Sequence, residues 1–108
     1  RAGENLEAEA SIVVIGDVEQ GARVTARGNV IVLGECRGLV HAGAAGDLGA
    51  VIVALEMAPT QLRVASVQHR FGEKHKRLGK GPMIAGVEGG RIAVKPLKKS
   101  FLSRINFI

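Results

Sequence analysis

A chain of 108 residues, 46% of them hydrophobic, supports one small domain that buries roughly 65% of its unfolded-chain surface, and is too apolar to be disordered. With 3% aromatic residues and no Trp or Tyr, the core has to be filled by Val, Ile, Leu and Ala, and a single cysteine excludes an internal disulfide and suits a reducing compartment. The net charge of +5 gathers in 70–80 (RFGEKHKRLGK) and 95–104 (KPLKKSFLSR), without the stacking aromatics or reader motif of a nucleic-acid-binding protein.

No apolar run approaches the roughly 20 residues that span a bilayer, and no secretory signal pattern is present. The chain opens on RAGENL without Met, which predicts a longer protein with a further domain before residue 1. Residues 1–10 (RAGENLEAEA) are polar and lack alternation, and read as a loop.

Residues 11–49 organise the chain. Ile12, Val18, Val24, Val30, Cys36, Ala42 and Leu48 put an apolar or small residue at every sixth position. A helix repeats at 3.6 and a flat strand at 2, so neither lines these residues up on one face. A coil of very short strands does so, if each six-residue step is one side of a triangular lap. A direct repeat at one lap supports this: SIVVIGD (11–17) lies over NVIVLGE (29–35), with Gly16 over Gly34 and Asp17 over Glu35. Corners fall at Gly16-Asp17, Gln20-Gly21, Arg27-Gly28-Asn29 and Gly34; Asn29 and Asp47 read as turn residues bonding their own backbone.

A longer turn over 43–49 precedes VIVAL (51–55), the third lap. Pro59 interrupts the ladder, and QLRVASV (61–67) alternates Leu62, Val64 and Ser66 as one outer strand. Residues 68–81 read as a basic loop or excursion, and 82–87 with 91–94 as a hairpin about Glu88-Gly89-Gly90 or as the last short lap. In the tail 98–108, Phe101, Leu102, Ile105 and Ile108 fall at helical spacing opposite Lys98, Lys99 and Arg104. The tail therefore reads as an amphipathic helix, which caps the end of the coil or meets a membrane or partner.

The opening RAG, the run GDVEQGARVTARGNVIVLGECRG, then HAGAAGD, QLRVASV and IAVKPL resemble the C-terminal domain of the septum-site-determining protein MinC, over residues 1–97. The resemblance implies an all-β fold, a right-handed triangular β-helix that forms a homodimer. It also implies two partners: the membrane ATPase MinD, and the tubulin-like division protein FtsZ, whose ring assembly MinC blocks at wrong septum sites. On that footing the domain is cytoplasmic, reaches the inner face of the membrane through MinD, is no enzyme, and needs no cofactor. The family's MinD-binding motif Arg-Ser-Gly-Gln corresponds to Arg1, Ala2, Gly3 and Glu4, with Ala2 losing a hydroxyl and Glu4 gaining a charge. Arg37 matches the family's Arg-Gly and is a contact for the acidic FtsZ tail; its alternative role is to pair with Asp17 or Glu35. Exposed Val and Ile rows on the sides of the coil would drive dimer formation.

Two other function classes share the six-residue period. Hexapeptide-repeat acyltransferases use a catalytic His between subunits, for which His41 is available, but the coil is short and irregular after residue 50. A bactofilin-like scaffold would join laps end to end. Cys36 lies on the core series and reads as a buried hydrophobe rather than an activated thiol, and His69 and His75 lack partners at metal-ligand spacing.

Overall fold

The computed structural model describes residues 4–73 and 76–98, and among them every regular element is a strand. In chain order these are β1 (Asn5–Ala8), β2 (Ile12–Val14), β3 (Arg23–Ala26), β4 (Val30–Cys36), β5 (Leu39–Ala42), β6 (Ile52–Met57), β7 (Gln61–Val64), β8 (Val67–Arg70), β9 (Met83–Glu88) and β10 (Arg91–Pro96). They form two ladders, β1-β3-β5-β7-β8 and β10-β9-β6-β4-β2, and every pairing among β1 to β7 is parallel.

The laps have three sides. Side A stacks Leu6, Val24, Val40 and Leu62. Side B stacks Ile12, Val30 and Ile52. Side C is short: Val18 bridges Cys36, and Cys36 pairs with Met57 beyond a register shift between Val32 and Glu35. That shift bends β4 round a corner, so one strand serves two sides.

Alternation sends one set of side chains to the axis. Val24, Ala26, Val40, Ala42, Leu62 and Val64 from side A meet Val30, Val32, Ile52 and Ala54 from side B, with Val18, Cys36 and Met57 from side C. All are buried, and each aliphatic side chain of Ile52's size contributes about 1.5–3 kcal/mol on leaving water. The six-residue series stacks in register from Ile12 to Cys36; on side A, Val24 lies under Val40 rather than Ala42, although Ala42 still faces the axis, and Leu48 is 53% exposed. Four extra residues in the turn over 43–50 make Ile52, not Leu48, the partner of Val30.

Corner side chains stitch the laps. Ser11 Oγ accepts from Asn29 N (2.9 Å), and Asn29 Oδ1 accepts from Val51 N (2.9 Å). Asn29 thus serves the next lap, not its own turn as expected; Asp47 does bond its own turn, at Gly49 N (2.8 Å). Asp17 Oδ1 accepts from Glu35 N (2.7 Å), which explains the repeated Gly-acid corner. A Cβ at Gly34 would run into Gly16 O and Asp17 Oδ1, so this corner admits no side chain.

Two expectations are corrected. The loop read over 1–10 contains β1, an edge strand held to β3 by backbone pairing while Leu6 stays 48% exposed, so side-chain alternation did not announce it. QLRVASV is not one strand: Ala65 (φ 54°) turns the chain, and β8 returns antiparallel to β7. The hairpin β9–β10 forms as read, and β9 runs antiparallel to β6. The C-terminal end of the coil is therefore covered by β8, β9 and β10. The helix expected over the tail lies, apart from Lys98, outside the described residues.

Val30→Asp places an unpaired charge on the axis at a cost of several kcal/mol, against a total stability of about 5–15 kcal/mol for a domain. The expected outcome is loss of the cooperative thermal transition in circular dichroism. A melt at the parent temperature would remove Val30 from the core.

Candidate functional site

Two outer surfaces and one corner are distinctive. The outside of side A is polar. Arg23, Leu39, Gln61 and Arg70 form one outward row, and Thr25, His41, Arg63 and Gln68 the next. Two side chains of the second row converge on the turn: His41 Nε2 donates to Ala65 O (3.0 Å), and Arg63 Nε donates to the same carbonyl (3.0 Å). His41, the residue an acyltransferase would use, is thus tied into the hairpin of its own chain.

The corner between sides C and A holds Glu4 and Arg37, the two predicted site residues that lie within the described chain. Glu4 O accepts from Arg23 N (2.7 Å), Ala22 O from Leu39 N (3.0 Å), and Gly38 O from Thr60 N (3.0 Å), so Glu4, Ala22, Gly38 and Thr60 occupy one corner column. Arg37 immediately precedes Gly38 and sits two laps from the Glu4 end, roughly 10 Å at the usual strand spacing. The structure thus brings Glu4 and Arg37 to the same edge; Arg1, Ala2 and Gly3 lie outside the described residues. A groove of ≈ 310 Å³ opens beside the column, lined by Gln20, Arg23, Thr60, Gln61, Arg70 and Glu73 among others. The sequence reading missed Arg23 and Arg70, because their meeting needs the lap register and the turn at Ala65.

Arg37 does not pair with Asp17 or Glu35. Its backbone N donates to Val18 O (2.8 Å), while its Nε is buried without a hydrogen-bond partner among the described residues. Asp17 is committed to the Glu35 amide instead. A buried guanidinium nitrogen left unpaired is costly, and a carboxylate acceptor would relieve it.

The outside of side B is apolar. Val13, Ile31, Val53 and Ile84 form one outward row, and Ile15, Leu33 and Leu55, two residues further along each lap, form a second. Ile31, Val53 and Ile84 make a cluster of their own with Val51 and Leu97. The second row is open: Ile15 is 87% exposed, Leu33 45% and Leu55 43%.

No cluster of His, Cys, Asp or Glu among the described residues has metal-site geometry, and no described helix is long and apolar enough to cross a membrane. Cys36 is buried on the axis, and loss of hydration pushes its thiol from an ordinary value near 9 up to about 12, against a lowering hydrogen bond from the Gly38 backbone.

These features define a β-solenoid whose distinctive parts are surfaces: a polar side, an apolar side and a basic corner. Residues 1–97 match the family described as septum formation inhibitor MinC, C-terminal domain, and the chain belongs to that family. Among curated relatives, proteins described as "Probable septum site-determining protein MinC" are 34% identical over 115 aligned residues in Agathobacter rectalis (97% of this chain, 47% of the relative) and 44% identical over 93 in Pelotomaculum thermopropionicum (85% and 42%). One from Persephonella marina is 54% identical over 66 residues, covering 61% of this chain and 33% of the relative. The chain thus spans about half the length, or less, of these relatives. Among solved structures, the MinC:MinD cell division protein complex of Aquifex aeolicus contains a chain that superposes with a TM-score of 0.83 at 37% identity, covering 96% of this chain and 87% of that one.

Because the Cys36 thiol is held protonated and buried, it is expected not to react with a soluble disulfide reagent at mildly alkaline pH until denaturant is added. Stoichiometric reaction in the native state would contradict its place on the axis.

Proposed function

We propose that this chain is the dimerising, partner-binding domain of a cell division inhibitor, recruited by the ATPase MinD to the inner face of the membrane and acting there against FtsZ ring assembly. The observation that carries the reading is the corner column. Glu4, at the end of the segment corresponding to the family's MinD-binding motif, stands on the same edge as Arg37 and beside the polar groove. The solved relative was found in a MinC:MinD complex, which supports MinD as a partner. Arg1, Ala2, Gly3 and Glu4 are its first contacts in this reading, with Arg1 supplying a bidentate donor.

Arg37 is the proposed contact for the acidic FtsZ tail. Its unpaired Nε supports this role, since an incoming carboxylate would supply the missing acceptor. The homodimer is assigned to the outside of side B, where Ile15, Leu33 and Leu55 offer an open apolar row beside Ile31 and Val53. A second copy related by a two-fold axis would cover that row with its own. Residues 1–97 act as the domain in this scheme and 98–108 as an appended basic tail. Interaction, not catalysis, is the function, and the family assignment favours it over an acyltransferase centred on His41 or an end-to-end scaffold of the bactofilin kind.

Arg1→Glu is expected to abolish ATP-dependent co-sedimentation with MinD and vesicles while leaving the oligomeric state unchanged. Equal recruitment of mutant and parent would move the MinD surface elsewhere. Leu33→Asp is expected to give a folded monomer in sedimentation velocity, because a half-exposed position tolerates the charge in the free chain but not in an apolar interface. A folded dimer would exclude side B as the interface.

A further inference from the structure

Charge is separated along the axis of the solenoid. From Glu4 to Ala22 the first lap holds five carboxylates (Glu4, Glu7, Glu9, Asp17, Glu19) and no Lys or Arg. From Val67 to Lys98 the segment that closes the opposite end holds eight Lys or Arg against two carboxylates, Glu73 and Glu88. This segment is fastened to the last lap. Phe71 N donates to Thr60 O (2.8 Å) and Leu78 N to Met57 O (2.8 Å), while Leu97 N donates to Pro82 O (3.0 Å) within the segment. Leu78 and Phe71 also pack against the core, so the backbone around 76–80 is held across the end of side C. Arg70, Lys76, Arg77, Lys80 and Lys98 are exposed there. Among the described residues Arg77 pairs with Glu56 at 4.0 Å, an ion pair half-exposed on both sides that does little to neutralise the end.

We propose that this basic end is a docking surface for an anionic phospholipid membrane, which it meets with Arg70, Lys76, Arg77, Lys80 and Lys98 while the acidic first lap points away. The inference rests on the reading above in one respect: a membrane-bound ATPase would bring the domain to a lipid surface, where contacts too weak to act alone gain from a high effective concentration. The surface suits lipid better than nucleic acid. Its described residues form the blunt end of the coil with no helix to enter a groove, its β9–β10 hairpin is packed onto β6, and Phe71, the aromatic among them, is half-buried and already edge-on to His69 at 4.6 Å between ring centres. A planar array of anionic headgroups needs only like-signed charges held on one face. The acidic lap at the far end makes the attraction orienting: an inverted domain would present five carboxylates to the same headgroups.

The test uses the 108-residue chain without any partner, sedimented with vesicles of phosphatidylglycerol and phosphatidylcholine, and with phosphatidylcholine alone, at low and high salt. The expected result is binding to the anionic vesicles only, lost at high salt. The triple variant K76E/R77E/K80E, with the parent's circular dichroism and melting temperature, is expected to bind at least about tenfold more weakly. Glu7→Lys at the opposite end is expected to leave binding unchanged or raise it. Equal binding by the triple variant and the parent, or no binding to anionic vesicles, overturns the proposal. So does tighter binding to duplex DNA than to the vesicles. Capture of MinD by the triple variant in solution without lipid is measured in parallel, so that failure of the lipid surface and failure of the MinD reading give different results.

Discussion

Parallel stacking of one lap on the next is the constraint on which everything else depends. It places each inward residue directly over its counterpart, Val24 under Val40 under Leu62, and Val30 under Ile52. The interior is therefore one side chain deep from each of three sides, and aliphatic residues of Val to Met size fill it. The same stacking leaves backbone groups at the corners to be satisfied between laps, which Ser11, Asn29 and Asp17 do by accepting amide protons from the lap above. Core and corners are thus two consequences of one register. A change in either is felt by the neighbouring laps rather than locally.

The same register builds the surfaces. Because side chains alternate, every inward Val or Ile on side B has an outward neighbour, and these align into the rows of Val13, Ile31 and Val53 and of Ile15, Leu33 and Leu55. On side A the outward neighbours are Arg23, Thr25, His41, Gln61 and Arg63, so an identical backbone carries a polar face. A solenoid therefore separates folding from recognition: the axis accepts a narrow range of residues, while each side is free to take its own character. That division explains how one chain of 108 residues holds an apolar face, a polar groove and a charged end.

Much of this was legible in the sequence, for a physical reason. The six-residue series from Ile12 to Cys36 and the repeated Gly-acid corner are direct images of the lap, because Ile12 to Val30 and Val18 to Cys36 span the same length. Side A already shortens its step, so that Val40 rather than Ala42 covers Val24. Legibility failed where lap length or edge chemistry changed. The turn over 43–50 adds four residues and throws Leu48 out of the series. β1 is held by its backbone at an edge, where its side chains stay exposed and carry no pattern. The turn at Ala65 has no glycine to mark the left-handed backbone, and what secures it, His41 and Arg63 donating to one carbonyl, comes partly from another lap. The site shows the same division. Arg37 and Glu4 were named from the sequence through their neighbours in a motif, but their shared corner emerges only from the register.

The unpaired Nε of Arg37 gives this corner a direction. Asp17, one lap below, uses its Oδ1 to hold the Glu35 amide and is not paired with Arg37. The desolvation of Arg37 Nε is thus not offset by a hydrogen bond among the described residues. Arg23 and Arg70 line the adjoining groove and keep the local potential positive, which favours an acidic segment over a neutral one of the same shape. Affinity at such a site would come chiefly from satisfying one buried donor, with the surrounding charges setting the rate and sign of approach. That is a different logic from the apolar side B, where area and shape decide.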